Sequence, residues 1–161
     1  MRYLSKKFET VSKDYAMSSA GGYFIEDLKV GQQERFAKTV TDADITLYSG
    51  VSGDTNPVHL DEEYASTTIF KTRIAHGMLT ASFISAVLGA RMPGPGAIYL
   101  AQNLRFKAPV RPGDTVTALC EIKSIDLEKR RVTLSTQCLV KGKIVVDGEA
   151  TVMPPSRSQK D

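Results

Sequence analysis

One stretch of this chain is apolar almost all the way round a helix. From Gly77 to about Arg91, Leu79, Phe83, Ala86 and Val87 fill several faces, while Met78, Ser82 and Ser85 share one side. That pattern predicts a helix buried on nearly every face. The run Met92-Pro93-Gly94-Pro95-Gly96 stops it, because proline lacks the N–H and the freedom to continue the helix. Beyond it the pattern turns to strand. Residues 97–107, 115–125, 131–140 and 143–152 are four strand candidates. They are separated by Ala108-Pro109-Val110-Arg111-Pro112-Gly113, by the polar turn Glu128-Lys129-Arg130 and by the hairpin turn Lys141-Gly142.

Upstream, Phe24, Ile25 and Leu28 alternate imperfectly up to a turn at Val30-Gly31. Residues 32–40 predict a first strand, with Phe36 and Val40 apolar. Thr41-Asp42-Ala43-Asp44 resembles a capping box, with Asp44 in place of the usual Glu. A helix to about Val51 follows, with Ile45, Tyr48 and Val51 assigned to one face. Ser52-Gly53 ends it, and Asn56-Pro57 predicts an extended or turn conformation. Asp61 suits the cap of a short helix over residues 62–65, and 67–74 read as irregular. Residues 1–22, closed by Ala20-Gly21-Gly22, read as a partly ordered N-terminal tail. Residues 23–153 read as a single domain and 154–161 as a C-terminal tail. A long buried helix with one strand before it and four after it predicts an α+β fold, a sheet wrapped round the helix. One sheet face covers the helix; the edges and the other face are left for a partner.

Composition narrows the function classes. The 161 residues fit one domain, with 42% hydrophobic and 24% charged residues. The net charge of +3 is too small to indicate nucleic acid, though it suits a phosphate-bearing ligand. Cys120 and Cys138 are too few and too far apart for a zinc cluster, and read as reduced core thiols. No apolar run reaches the roughly 18 residues of a membrane span. The first 22 residues lack the apolar core of a secretory signal. Arg2, Lys6 and Lys7 give them some organelle-presequence character, offset by Glu9 and Asp14. A cytoplasmic location is expected, with an organelle matrix as the alternative.

The residues that bear chemistry lie just before and at the start of the apolar helix. Asp54 and His59 are five apart with Pro57 between them, so a bent connection brings a base and an acid to one water molecule. The plainer reading makes Asp54 a turn residue and His59 a satisfied polar group. Gly77 offers a free amide at a helix N-terminus, suited to a forming oxyanion. The plainer reading has His76 capping the turn and Gly77 allowing close packing. Ser82 and Ser85 sit in an apolar helix, where a buried hydroxyl bonds back to the carbonyl four residues earlier. No Gly-x-Ser-x-Gly elbow surrounds them, which argues against a serine hydrolase. A metal site on His59, Asp61 and His76 has only weak support, and none is expected. Lys71, Arg73, Arg105, Lys107 and Arg111 read as a solvated surface or as phosphate-holding cations.

Taken together these motifs are specific. The chain resembles the (R)-specific enoyl-CoA hydratases of the MaoC-like dehydratase family. The resemblance rests on Ser52-Gly53-Asp54-x-Asn56-Pro57-x-His59-x-Asp61, on Ile74-x-His76-Gly77-Met78-Leu79 and on Pro93-Gly94-Pro95-Gly96. Ile98-Tyr99-Leu100 and Phe106-Lys107-x-Pro109-Val110-x-x-Gly113-Asp114 agree with it, over about residues 32–152 in all. It implies a hot-dog fold and a homodimer whose two sheets join. It implies reversible hydration of trans-2-enoyl thioesters to (R)-3-hydroxyacyl thioesters, in fatty-acid or polyhydroxyalkanoate-type metabolism. It also implies catalytic roles for Asp54, His59 and Gly77, and substrate contacts from Asn56, His76, Ser85 and, less directly, Ser82. Asp54 is taken as the base, with His59 orienting the water. No metal or redox cofactor is needed, and the partner is an acyl-CoA or acyl-carrier-protein thioester. The alternatives are a hot-dog acyl-CoA thioesterase, a 3-hydroxyacyl-carrier-protein dehydratase subunit, and a non-catalytic partner chain.

Overall fold

The computed structural model describes residues 21–158. A 3-10 turn over Ile25–Asp27 leads to β1 (Gln33–Thr39). Three helices follow: α1 (Asp42–Ser52), α2 (Pro57–Leu60) and α3 (Glu62–Thr67). Then come the central helix α4 (Gly77–Ala90) and the strands β2 (Ile98–Phe106), β3 (Thr115–Asp126), β4 (Arg131–Val140) and β5 (Lys143–Met153). The strands form one antiparallel sheet in the order β1-β3-β4-β5-β2.

Period-two burial fixes which face of the sheet meets α4. Val116, Ala118, Cys120 and Ile122 of β3 point inward, as do Val132, Leu134, Thr136 and Cys138 of β4. They pack on Leu79, Phe83, Ile84, Val87 and Leu88 of α4 in one core. Phe36 of β1 meets Phe83 edge to face, with centroids 5.9 Å apart. The expected sheet wrapped round a helix is the observed arrangement. Both cysteines are buried free thiols, and burial pushes each up to about 12.

Four local expectations change. Asn56 is extended as expected, with φ −53° and ψ 124°, but Pro57 opens α2 directly after it, because proline is pre-organised for the first helical position and Asn56 caps it. Val51 is exposed and does not share a face with Ile45. Two steps of three residues drift about 120° round a helix, whereas a step of four returns to the same side, and the buried partner is Ser49. On α4, Met78, Ser82 and Ser85 form an exposed stripe, so the helix is covered on all sides but one. The start of the expected C-terminal tail is anchored: Ile25 N–H donates to Pro155 O, Ser156 Oγ bonds Glu26, and Arg157 pairs with Asp27. The rest of that tail and most of the expected N-terminal tail lie outside the described residues.

The capping box at Thr41 is present in both directions, and Lys38 joins Asp44 at 2.8 Å. These bonds hold the Asp44 carboxyl down at about 2. They fix the entry angle of α1, which carries the connection to the site.

Ile84 is buried at the centre of α4. Ile84→Ala is expected to lower unfolding free energy by about 2–5 kcal/mol in a denaturant titration, through lost burial and a residual cavity.

Candidate active site

Asp54 lies on the short connection between α1 and α2. Gly53 ends α1 at a left-handed φ of 76°, which turns the chain sharply and suits a residue without Cβ. The Asp54 Oδ1 accepts Asn56 N–H, and Oδ2 faces His59 Nε2 at 4.0 Å. The Asp54 side chain is 52% exposed, whereas His59 is buried.

His59 occupies the last turn of α2 and is held by its other nitrogen. Nδ1 lies 2.8 Å from the Ile74 carbonyl, which only accepts, so Nδ1 carries the hydrogen. Nε2 is therefore the bare nitrogen facing Asp54. Burial is the largest influence on this imidazole and pushes its pKa below the usual 6.5; the neighbouring Asp54 opposes that shift. A separation of 4.0 Å is too long for a direct hydrogen bond. It suits one water about 2.8 Å from each acceptor, with an angle of about 90° at its oxygen.

Gly77 is the first residue of α4, so its N–H has no carbonyl one turn back. Among the described residues no chain carbonyl accepts from it. A Cβ there would meet the Phe106 ring at 2.8 Å, so any side chain at this position would have to displace that ring. Asp54, His59, His76 and Gly77 line one cavity of about 600 Å³, closed by Phe106 and Phe70 among others. A second cavity of about 400 Å³ lies further along α4 and is lined by Ser82, Ser85, Tyr99 and Leu104. Tyr48 and Met78 border both.

The structure thus brings Asp54, His59, His76 and Gly77 together and places the serines beyond them. Ser82 Oγ donates to Leu79 O, three residues back rather than the four read from sequence. Asn56 lines neither cavity; its Oδ1 accepts from Val58 N–H and caps α2. His76 does not cap its helix with its side chain. It is only 2% exposed, stacks on His59 with centroids 3.8 Å apart, and sets Nε2 3.0 Å from Asp54 O and 3.2 Å from Ser49 Oγ. This buried ring lines the cavity while its Nε2 is engaged by the chain. Asp61, weighed as a metal ligand, caps α3 through Tyr64 N–H.

Asp54, His59 and His76 do place ligand atoms within 4.8 Å of one another. The two imidazoles, however, are stacked with planes only 29° apart. Their in-plane lone pairs run side by side and do not converge at the about 2.0–2.1 Å that a zinc ion requires. Of the basic residues, Arg73 is paired with Asp42 and Glu62, Arg111 donates to Phe70 O, and Lys107 pairs with Asp147 at the cavity wall.

Sequence reasoning missed Ser49, and gave Tyr48 and Phe106 no role at the site. Ser49 had a signal: it lies four residues after Ile45, on the same buried face. Phe106 comes from a strand far along the chain, and no local pattern announces its approach to Gly77.

Comparison with known proteins agrees with this fold. The model of the MaoC-like domain matches residues 27–147. The chain is 60% identical to an (R)-specific enoyl-CoA hydratase of Rhodospirillum rubrum, over 84% of this chain and 94% of that one. It is 46% identical to a 3-hydroxybutyryl-CoA dehydratase of Methylorubrum extorquens, over 86% and 88%. An unliganded R-hydratase structure from Pseudomonas aeruginosa superposes with a TM-score of 0.80 at 46% identity, covering 84% of this chain and 88% of that one.

The tautomer and titration of His59 are open to measurement. Imidazole ¹⁵N NMR should find Nδ1–H at neutral pH and a midpoint below 6.5. Because the folded state resists protonation there, stability should fall as pH drops through about 6.5, where the unfolded chain gains the proton. A midpoint above 6.5 would contradict burial as the dominant influence, and an Nε2–H tautomer would contradict the assigned hydrogen bond.

Proposed function

This chain belongs to the MaoC-like family, and from that membership we propose that it adds water reversibly to trans-2-enoyl-CoA, giving (R)-3-hydroxyacyl-CoA. The observation that carries the proposal is the bare His59 Nε2 facing the Asp54 carboxylate at 4.0 Å, in the cavity that also holds the Gly77 amide. An acid–base pair and an oxyanion donor are what hydration of a conjugated thioester needs.

In this reading the thioester oxygen accepts the Gly77 N–H. Charge that builds there as an enolate meets an unpaired donor at the positive end of α4. One water donates a hydrogen to Asp54 and the other to His59 Nε2, leaving its oxygen lone pair for C3. As the C3–O bond forms, Asp54 takes one proton and returns it to C2. The sum is addition of one water across the double bond, with Asp54 and His59 restored. Each well-placed acid or base typically contributes about 10²–10⁴ in rate. No step calls for a metal or a redox cofactor.

The acyl tail is directed along α4, past Met78 and Tyr48, toward Ser82 and Ser85 in the second cavity. Coenzyme A is favoured over acyl carrier protein as carrier, because the similar R. rubrum and M. extorquens proteins are named for CoA thioesters. No helix among the described residues is long and apolar enough to cross a membrane. A cytoplasmic site of action is part of the same proposal.

A homodimer joined along β2 completes it. β2 is an edge strand, and Ile98, Tyr99 and Leu100 are exposed on it. An apolar unpaired edge invites a second copy, whereas β1 at the other edge carries Glu34, Arg35 and Lys38. Leu100→Lys is expected to shift the protein to a monomer in size-exclusion chromatography; an unchanged elution volume would count against this interface.

The chemistry is tested by following loss of the conjugated absorbance of trans-2-butenoyl-CoA. Asp54→Asn and His59→Gln should each stay folded and lose at least about 10²-fold in kcat. Normal turnover by either variant would sink the mechanism. Release of free thiol without loss of the double bond would point to a thioesterase.

A further inference from the structure

Asp54 is catalytically placed, yet little holds its carboxylate. The side chain is half exposed, and among the described residues its one hydrogen bond is from Asn56 N–H. Its position must come from the backbone. There the Asp54 carbonyl points inward and meets two buried donors. Ser49 Oγ–H donates at 2.8 Å and His76 Nε2–H at 3.0 Å. Ser49 is 4% exposed, and comes from α1; His76 immediately precedes α4. A carbonyl can only accept, so His76 carries its hydrogen on Nε2. Its Nδ1 is then bare, buried and without a partner among the described residues. An orphaned buried nitrogen is costly. The ring is retained in this orientation by what its other parts do.

The same ring holds the second member of the pair. Its face lies on His59 with centroids 3.8 Å apart and planes 29° apart, while Tyr48 packs against it at 5.0 Å. Ile74 O fixes one edge of His59, and the His76 ring fixes one face. One side chain therefore grips the Asp54 backbone by a hydrogen bond and the His59 ring by stacking.

We propose that His76, assisted by Ser49, is a positioning residue that sets the separation of Asp54 and His59, and through it the seat of the reacting water. It acts through Asp54 and His59, although its ring also lines the cavity. The proposal rests on the hydratase reading of the pair. It replaces the substrate-binding role that sequence reasoning gave to His76. Without His76 the Asp54 carbonyl would keep Ser49 alone, and the His59 ring would keep Ile74 alone.

The test compares hydration of trans-2-butenoyl-CoA by the full chain with that of His76→Phe, His76→Gln and Ser49→Ala. Thermal midpoint and oligomeric state are measured for each. His76→Phe keeps a ring for His59 and loses the donor. His76→Gln keeps an N–H at similar reach and loses the ring. We expect kcat to fall about 10²-fold in His76→Phe with KM nearly unchanged, as a small misplacement of reacting groups does. His76→Gln should recover at least about tenfold of that loss, and Ser49→Ala should lower kcat about three- to tenfold at unchanged KM. Wild-type kcat in His76→Phe overturns the assignment, as does His76→Gln no better than His76→Phe when both are folded. Should His76→Phe fail to fold, Ser49→Ala decides alone: an unchanged kcat overturns the assignment. A wild-type chain that does not hydrate the substrate removes the function itself, a different result from an active chain indifferent to residues 49 and 76.

Discussion

The 2.8 Å hydrogen bond from His59 Nδ1–H to the Ile74 carbonyl determines what this imidazole can do. It spends one nitrogen on the fold and leaves the other bare. Burial reinforces that choice by disfavouring the charged ring. Had Nδ1 faced the cavity instead, Asp54 would meet a ring aimed elsewhere. The cavity would then contain a carboxylate and an amide with nothing to share the water. The Ile74 carbonyl is available because residues 68–76 run without regular structure from α3 to α4. Irregular backbone next to a rigid helix is where such spare acceptors are found.

The remainder of the fold supplies rigidity around that bond. α4 is locked in the sheet by Leu79, Phe83, Ile84, Val87 and Leu88. Its first amide therefore sits at a fixed place, with Phe106 of β2 pressed against Gly77. The capping box at Thr41 and the left-handed Gly53 fix both ends of α1. Asp54 follows directly from the second. The core thus acts on the chemistry through two short connections, one entering the site from α1 and one leaving it into α4.

Most of the architecture was legible in the sequence. The apolar circumference after Gly77, the Pro-Gly stop and the alternating strands locate α4 and all five strands to within a residue or two, because these elements are decided by local periodicity and breakers. The pairing of Asp54 with His59 was legible too, through Pro57, although a helical turn rather than an open loop brings them together. The contact of His76 with the Asp54 carbonyl was not legible. Nothing local distinguishes an imidazole facing substrate from one facing a carbonyl 22 residues back in the chain. Ser49 was hidden for the same reason: its worth lies in a contact across elements. The exposure of Val51 shows the converse error, where a spacing that looks helical drifts off the buried face.

The claim on which the chemistry depends is that a single water, held between Asp54 and His59 on one face of the substrate, supplies both the hydroxyl at C3 and the proton at C2. The stereochemical course of hydration measures this most directly. Trans-2-butenoyl-CoA would be hydrated in D₂O and the product resolved by chirality and by ²H position. The account predicts the (R)-3-hydroxy thioester with deuterium at C2 on the face that received the hydroxyl. Addition of the two groups to opposite faces, or an (S) product, would contradict it.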